Sequence, residues 1–439
     1  MTKMVPLDTA MGTHAGARRL ALFALFLVST FNYIDRTIVS LLQIPIKAEL
    51  NLTDGQLGAL TGLAFALFYA TLSLPIARLA DRFSRRWLIV ISLALWSAMT
   101  ALCGLATSFT MLVLLRIGVA IGEAGSVPAS VSLIADYYPP QRRATAMSTW
   151  GLALPAGLMA GYAGTGWLAE LLGWRLAFAV VGGAGLVLAP LVMAMLAEPR
   201  RGTFDVPSAT LLQPPPLFAS LGLLWRRRAF RYVVIAGMLH GFTQYSMMTW
   251  NAPFFARTHG LSLGTVALLM ALLSGGAGAI GMFASGWLTD RLATRDARWR
   301  VWIMAAVVGL TVPLALLQYL TRSTPVAIGA ATLAAATMIA YYGPILAATQ
   351  SATPPTMRAF GNAVLLLCFN LFGLGLGPWL TGLLSDLLVP QAGPDALRFA
   401  LAIMLVPSAL AALLFLYAAR FFTPAGQPRE TQDGAGRDA

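Results

Sequence analysis

Arg78-Leu79-Ala80-Asp81-Arg82-Phe83-Ser84-Arg85-Arg86 separates two long apolar runs, and the core of this stretch recurs as Trp287-Leu288-Thr289-Asp290-Arg291 at the like place in the other half of the chain. Two further pairs keep nearly the same offset. Pro139-Pro140-Gln141-Arg142-Arg143-Ala144 matches Pro354-Pro355-Thr356-Met357-Arg358-Ala359, and Phe31-Asn32-Tyr33 matches Thr243-Gln244-Tyr245 more weakly. A constant offset is the trace of a duplicated unit. Between the copies, from Glu198 to Arg231, the chain turns basic and Pro-rich, with Pro207, Pro214, Pro215 and Pro216. Such a stretch reads as a linker.

Each copy is built of apolar runs. Of 439 residues 58% are hydrophobic and 11% charged, against about 25% charged in soluble domains. Runs of membrane-spanning length recur roughly twelve times, centred near Ser29, Ala66, Leu95, Ile121, Gly157, Leu186, Thr243, Leu273, Val308, Thr337, Leu371 and Leu410. Unbroken runs contradict the alternation of a lipid-facing barrel, so the fold class is an all-α membrane protein of twelve transmembrane helices in two six-helix bundles. The expected division is a first bundle at 1–197, a cytoplasmic linker at 198–230, a second bundle at 231–422 and a flexible tail at 423–439. The first run is too long and too polar at its centre for a cleavable signal peptide.

The formal charge is +13, which in a soluble protein would point to nucleic acid. Here the basic residues gather in alternate loops: Arg78, Arg82, Arg85 and Arg86; Arg142 and Arg143; Arg200, Arg201 and Arg226 to Arg228; Arg291, Arg295, Arg298 and Arg300. The intervening loops are short and nearly uncharged. That is the positive-inside pattern: it puts both termini in the cytoplasm and makes anionic membrane lipid, not nucleic acid, the partner of the charge. Cys103 and Cys368 both lie in apolar runs, which argues against a disulfide framework. The sequence holds no zinc-type spacing, no phosphate-cradling loop and no nucleophile with a plausible base, so an enzyme, a metal site and ATP-driven transport are not expected.

Charge inside the apolar runs is confined to the first half. Asp35 and Arg36 interrupt the first run, and Arg116 and Glu123 interrupt the fourth. A carboxylate at membrane depth persists by pairing, by protonation or by facing water, and each option points to transport. With the amino terminus inside, Asp35 and Arg116 come to similar depth. Arg116 and Glu123 are two turns apart on one face, about 10 Å between Cα atoms. Protonating Asp35, Glu123 or both is then expected to free Arg116 to reorganise. Arg36 points about 100° away from Asp35, toward either an anionic substrate or another helix. The second half offers His240, Gln244, Tyr245, Tyr341, Tyr342 and Asn370 beside many Met and Phe residues, a soft wall for a greasy tail. His240 reads as a packing residue rather than a proton carrier.

The architecture and the Arg78 to Arg86 loop resemble the major facilitator superfamily over essentially the whole chain, with Ala77 and Ser84 where that family's loop usually has glycine; Gly173-Trp174-Arg175 fits the same family. Within it, Asn32-Tyr33-Ile34-Asp35-Arg36, Arg116, Gly122-Glu123-Ala124 and Ile134-Ala135-Asp136-Tyr137-Tyr138-Pro139 resemble the Spinster-like lipid transporters. The resemblance implies proton-influenced alternating access and movement of lysophospholipids or related amphiphiles. It sets the helices of Asp35 and Arg116 at one cavity and so implies an ion pair between them. It also implies Asn32, Tyr33, Arg36 and Arg116 as substrate or charge partners, a monomer in a bacterial inner membrane, and no cofactor beyond the proton. Asp81 would face the amino end of helix eleven as a cytoplasmic latch, with Arg82, Arg85, Arg142 or Arg143 completing it and Asp290 with Arg291 as a weaker counterpart. Proton-coupled organic-anion symporters carry a similar Asn-Tyr-x-Asp-Arg and leave an organic anion as the second substrate class. A non-transporting membrane sensor is a third reading, disfavoured by the lack of a sizeable soluble output domain.

Overall fold

The computed structural model describes residues 8–201, 203–204, 217–354 and 357–422. Most of the linker and the tail beyond 422 lie outside the described residues, as do the side chains of Asp81 and Arg78. Among the described residues, nine stretches are long and apolar enough to cross a membrane. Two of them, Pro140–Met195 and Phe360–Phe421, run to 56 and 62 residues, each long enough for two crossings at about 20 residues apiece. The first turns at Gly173, φ +77°, and the second at Gly393, φ +52°, conformations that glycine adopts without a Cβ clash. With Arg228–His259, there are twelve helical passages among the described residues.

They are numbered α1 Asp8–Leu50, α2 54–82, α3 Arg85–Cys103, α4 Phe109–Tyr137, α5 140–172, α6 174–195, α7 Arg228–His259, α8 Leu263–Ala293, α9 Trp299–Leu320, α10 Thr324–Ser351, α11 358–392 and α12 396–421. A short helix, Leu217–Arg226, precedes α7.

Contacts divide the chain into two compact units, Met1–Leu42 with Leu67–Pro207 and Gln43–Ala66 with Ser208–Ala439. The boundary therefore departs from the expected 1–197 and 231–422, because residues 43–66 pack with the second unit. Glycine is the reason. A Cβ on Gly58 would stand 2.3 Å from the Pro378 carbonyl oxygen, and one on Gly62 2.8 Å from those of Leu374 and Gly375, so the start of α2 lies backbone to backbone on α11. Both helices widen into π-helical turns there, Ala59–Leu63 and Phe369–Leu376.

In the first unit, Gly118, Gly122 and Gly125 follow one face of α4 and meet Met99, Trp96 and Ser92 of α3. Helix α3 is held from its other side by α6, where Gly182 abuts the Ala101 nitrogen and Gly185 the Ser97 hydroxyl. Helix α1 is held by α5 through Gly157 against Thr30 and Gly161 against Ile34 and Thr37. Helix α4 breaks after Glu123, and a new helix begins at Ser126. Pro128 explains the break, since it has no N–H to continue the ladder and its ring crowds the carbonyl four residues back.

Candidate functional site

The close packing of α1, α3 and α4 brings four charges into the interior of the first unit. Asp35 and Glu123 are 2% and 0% exposed and Arg116 3%, so each must find a partner inside. Arg116 Nη1 donates to Asp35 Oδ2 at 3.0 Å. The Thr100 hydroxyl, on α3, donates to Asp35 Oδ1. Glu123 is bonded not to Arg116 but to Arg36, whose Nε donates to Oε2 at 2.9 Å. Arg36 is thus turned to another helix, and its guanidinium lies over the rings of Tyr69 and Tyr33, 4.9 and 5.9 Å from their centroids. The buried charges form two crossed pairs, one aspartate and one glutamate each with its own arginine.

The two carboxylates differ in what remains. Both oxygens of Asp35 accept a hydrogen bond, while Glu123 Oε1 is buried with no hydrogen-bond partner among the described residues. Asn32 is buried beside them in sequence, and its Nδ2 likewise has no partner among the described residues.

At the start of α3, Arg85 is not available for a latch reaching beyond its own unit. It is 1% exposed, donates from Nη1 to Asp136 of α4, and from Nε to Glu198 after α6 at 2.8 Å. Glu198 also accepts from the Arg86 backbone N–H and the Ser84 hydroxyl, each at 2.8 Å. Burial works against its charge, but these donors and the Arg85 guanidinium hold its pKa below the usual glutamate value. Arg143 Nη2 donates to the Ala135 carbonyl at 2.8 Å. Arg82, Arg142, Asp290 and Arg291 are exposed, and Arg291 lies over the Trp287 ring.

A third cluster, absent from the expected site, lies in the second unit where α1 ends and α2 begins. Asp54 opens α2 behind a Thr53–Gln56 capping box. Its two oxygens each accept from Arg257 Nη1 of α7 at 2.9 Å, and they also accept from Lys47 at 2.5 Å and Ser385 of α11 at 2.7 Å. Asp386 in turn accepts from the Asp54 and Gly55 backbone N–H groups at 2.9 and 2.7 Å, a carboxylate on a helix amino end. A cleft of about 470 Å³ opens beside it, lined by Ile44, Lys47, Ala48, Asn51, Leu52 and Arg257. The signal was in the sequence: Lys47, Asp54, Arg257 and Asp386 are charges toward the ends of helices in stretches that carry few others.

The polar groups expected at the cavity side of the second half are uncharged. His240 is fully buried, with Nε2 3.0 Å from the Met338 carbonyl and Nδ1 2.8 Å from the Ser408 hydroxyl. A neutral ring satisfies both, donating to the carbonyl and accepting from the hydroxyl. Tyr341 donates to Gln244 Oε1 at 2.7 Å and Tyr245 to Asn370 Oδ1 at 3.2 Å. Phe369 stands between the two tyrosine rings, 5.3 Å from Tyr245 and 6.1 Å from Tyr341. Tyr342 is partly buried.

Comparison with known proteins places this geometry. The Major Facilitator Superfamily family model matches residues 25–375. An MFS-type efflux pump of Mycolicibacterium smegmatis is 36% identical over 403 residues, 91% of this chain and 92% of its own length. Protein spinster homolog 1 of Rattus norvegicus is 27% identical over 444 residues, 94% of this chain and 83% of its own. The crystal structure of a bacterial homologue of the human lysosomal transporter Spinster, inward-facing and unoccupied, superposes with a TM-score of 0.82 at 29% identity, covering 92% of this chain and 97% of that one. Family model, full-length relatives and solved fold agree: the chain belongs to the major facilitator superfamily and is a Spinster-like membrane transporter.

Proposed function

We propose that this transporter moves lysophospholipids or related amphiphiles across the membrane by alternating access governed by protonation of Asp35 and Glu123. The observation that carries the reading is the crossed pair of buried ion pairs with one carboxylate oxygen, Glu123 Oε1, left over. A buried carboxylate with an unused oxygen is where a proton is best accommodated, because neither existing hydrogen bond is lost. A proton on Oε1 weakens the hold on Arg36, and its guanidinium, seated on Tyr33 and Tyr69, becomes available to an anionic headgroup. Both oxygens of Asp35 are engaged, and a proton there frees Arg116. Asn32 supplies a donor beside them. Gln244, Tyr245, Tyr341, Tyr342 and Asn370 offer uncharged hydrogen-bonding and aromatic surface to the rest of the molecule.

The Asp54 cluster ties residues 43–66 to α7 and α11 and serves as the external latch. Asp81 is its cytoplasmic counterpart in this scheme. The efflux pump among the relatives supports export as the direction. The full-length match to Spinster supports an amphiphile over a small organic anion.

Spin labels at cytoplasmic and external helix ends test the mechanism. Opposite pH-driven distance changes at the two ends, lost in Asp35→Asn/Glu123→Gln, support it; an unchanged pH response in the double variant would return the four charges to a packing role. In proteoliposomes, lysophosphatidylcholine movement supports the substrate class, and uptake of a small carboxylate instead would transfer the protein to the organic-anion symporters.

A further inference from the structure

Thr100 gives its hydroxyl proton to a residue 65 positions away, whereas the other threonines of these helices mostly turn theirs back on their own chain. Thr37 donates to the Ile34 carbonyl, Thr61 to Leu57, Thr71 to Leu67, Thr311 to Val307 and Thr381 to Gly377. Thr100, 1% exposed, donates to Asp35 Oδ1. We infer that Thr100 is a positioning residue that sets the pH at which Asp35 releases Arg116; this rests on the reading of Asp35 as a proton-binding group.

The placement of the hydroxyl is built in. Helix α3 touches α6 at Ala101 and Ser97 and α4 at Trp96 through glycines, and α5 presses glycines on α1 at Thr30, Ile34 and Thr37. At Ala101, Ser97, Trp96, Thr30 and Ile34 the nearest atoms include backbone, which cannot rotate aside, so the helices that carry Thr100 and Asp35 are each held at close range. The charged and titratable groups facing Asp35 are Arg116 and Glu123 from α4, Arg36 from its own helix and the Cys103 thiol, one turn from Thr100 on α3. Helices α5 and α6 bring glycines to this level. Among these groups Thr100 is the neutral donor. A donor aimed at a carboxylate oxygen favours the ionised form, since a proton on that oxygen must displace it. Arg116 alone would fix the pair; the hydroxyl adds a second contact that acid has to break.

The test is the pH dependence of label distances in Thr100→Val, which keeps the shape and deletes the donor, and in Thr100→Ser, which keeps the donor. One hydrogen bond to a charged group is equivalent to a shift of about one pH unit. With the donor gone the proton binds Asp35 more readily, so the valine transition is expected about one unit higher in pH and the serine transition at the wild-type position. Coincidence of valine with wild type overturns the inference, as does a serine variant displaced as far as valine, which would assign the effect to the lost methyl group. Asp35→Asn is measured alongside. If it abolishes the transition while valine leaves it in place, only the role of Thr100 fails; if it leaves the full pH response, the reading of Asp35 itself fails. Thr100→Ala supplies the same comparison should the valine chain not insert.

Discussion

Glu123 and Asp35 are separated in character by a single atom's surroundings. Glu123→Gln retains an acceptor for Arg36 and cannot titrate, so it is expected to remove the Arg36 step from the pH response while leaving the Asp35–Arg116 pair in place; distances recorded across a pH titration would show one transition lost. Asp54 is the opposite kind of residue, an acceptor for three side-chain donors. Removing one partner of a buried ion pair costs about 3–5 kcal/mol. Asp54→Asn should therefore widen the distance distribution between labels near Thr53 and Asp386, and an unchanged distribution would remove Asp54 from the latch. The internal charges Asp35, Arg36, Arg116 and Glu123 were readable because charge in an apolar run is costly. The Asp35–Arg116 pair was expected; the Glu123–Arg36 pair was not, because helical spacing orders residues along one helix and says nothing of the rotation of its neighbour. Thr100 was unreadable for a related reason, since nothing in its own segment marks a hydroxyl that leaves its helix.

At the level of helices, glycine governs approach. A Cβ on Gly182 would lie 2.3 Å from the Ala101 nitrogen and 2.5 Å from the Ser97 carbonyl oxygen, both backbone atoms that cannot rotate aside. Gly182→Ala is expected to push α6 from α3 and cost roughly 1–3 kcal/mol, lowering the melting temperature of the purified protein. Gly183→Ala, which meets nothing within 4 Å, should leave it unchanged. Glycine and proline inside an apolar run are packing and bending signals, and the α4 break after Glu123 follows from Pro128. The π-helical turns of α2 and α11 were not visible, because widening a turn by one residue requires no particular side chain. Nor was the transfer of residues 43–66 to the second unit, which depends on a glycine contact between segments more than 300 residues apart.

Over the whole molecule, the duplicated motifs and the alternation of basic loops made the twelve passages and the two repeats legible. The family resemblance implied a latch at the motif loop, yet Arg85 is spent within its own unit on Asp136 and Glu198. Because the pKa of Glu198 is lowered in the folded protein, its contribution to stability is complete above the ordinary glutamate value of 4.5 and declines as pH falls through the lowered value. Melting curves of wild type and Glu198→Gln should accordingly differ near neutrality and converge on strong acidification. The second unit is different in kind: its helix centres carry no Asp, Glu, Lys or Arg, and His240 is satisfied as a neutral ring. In the proposed scheme such helix centres hold no group for a proton to charge, so they meet the cargo without answering to pH. Replacing their side chains is expected to change the passenger without resetting the clock, which opens this scaffold to new cargoes through one repeat while the carboxylates of the other stay as they are.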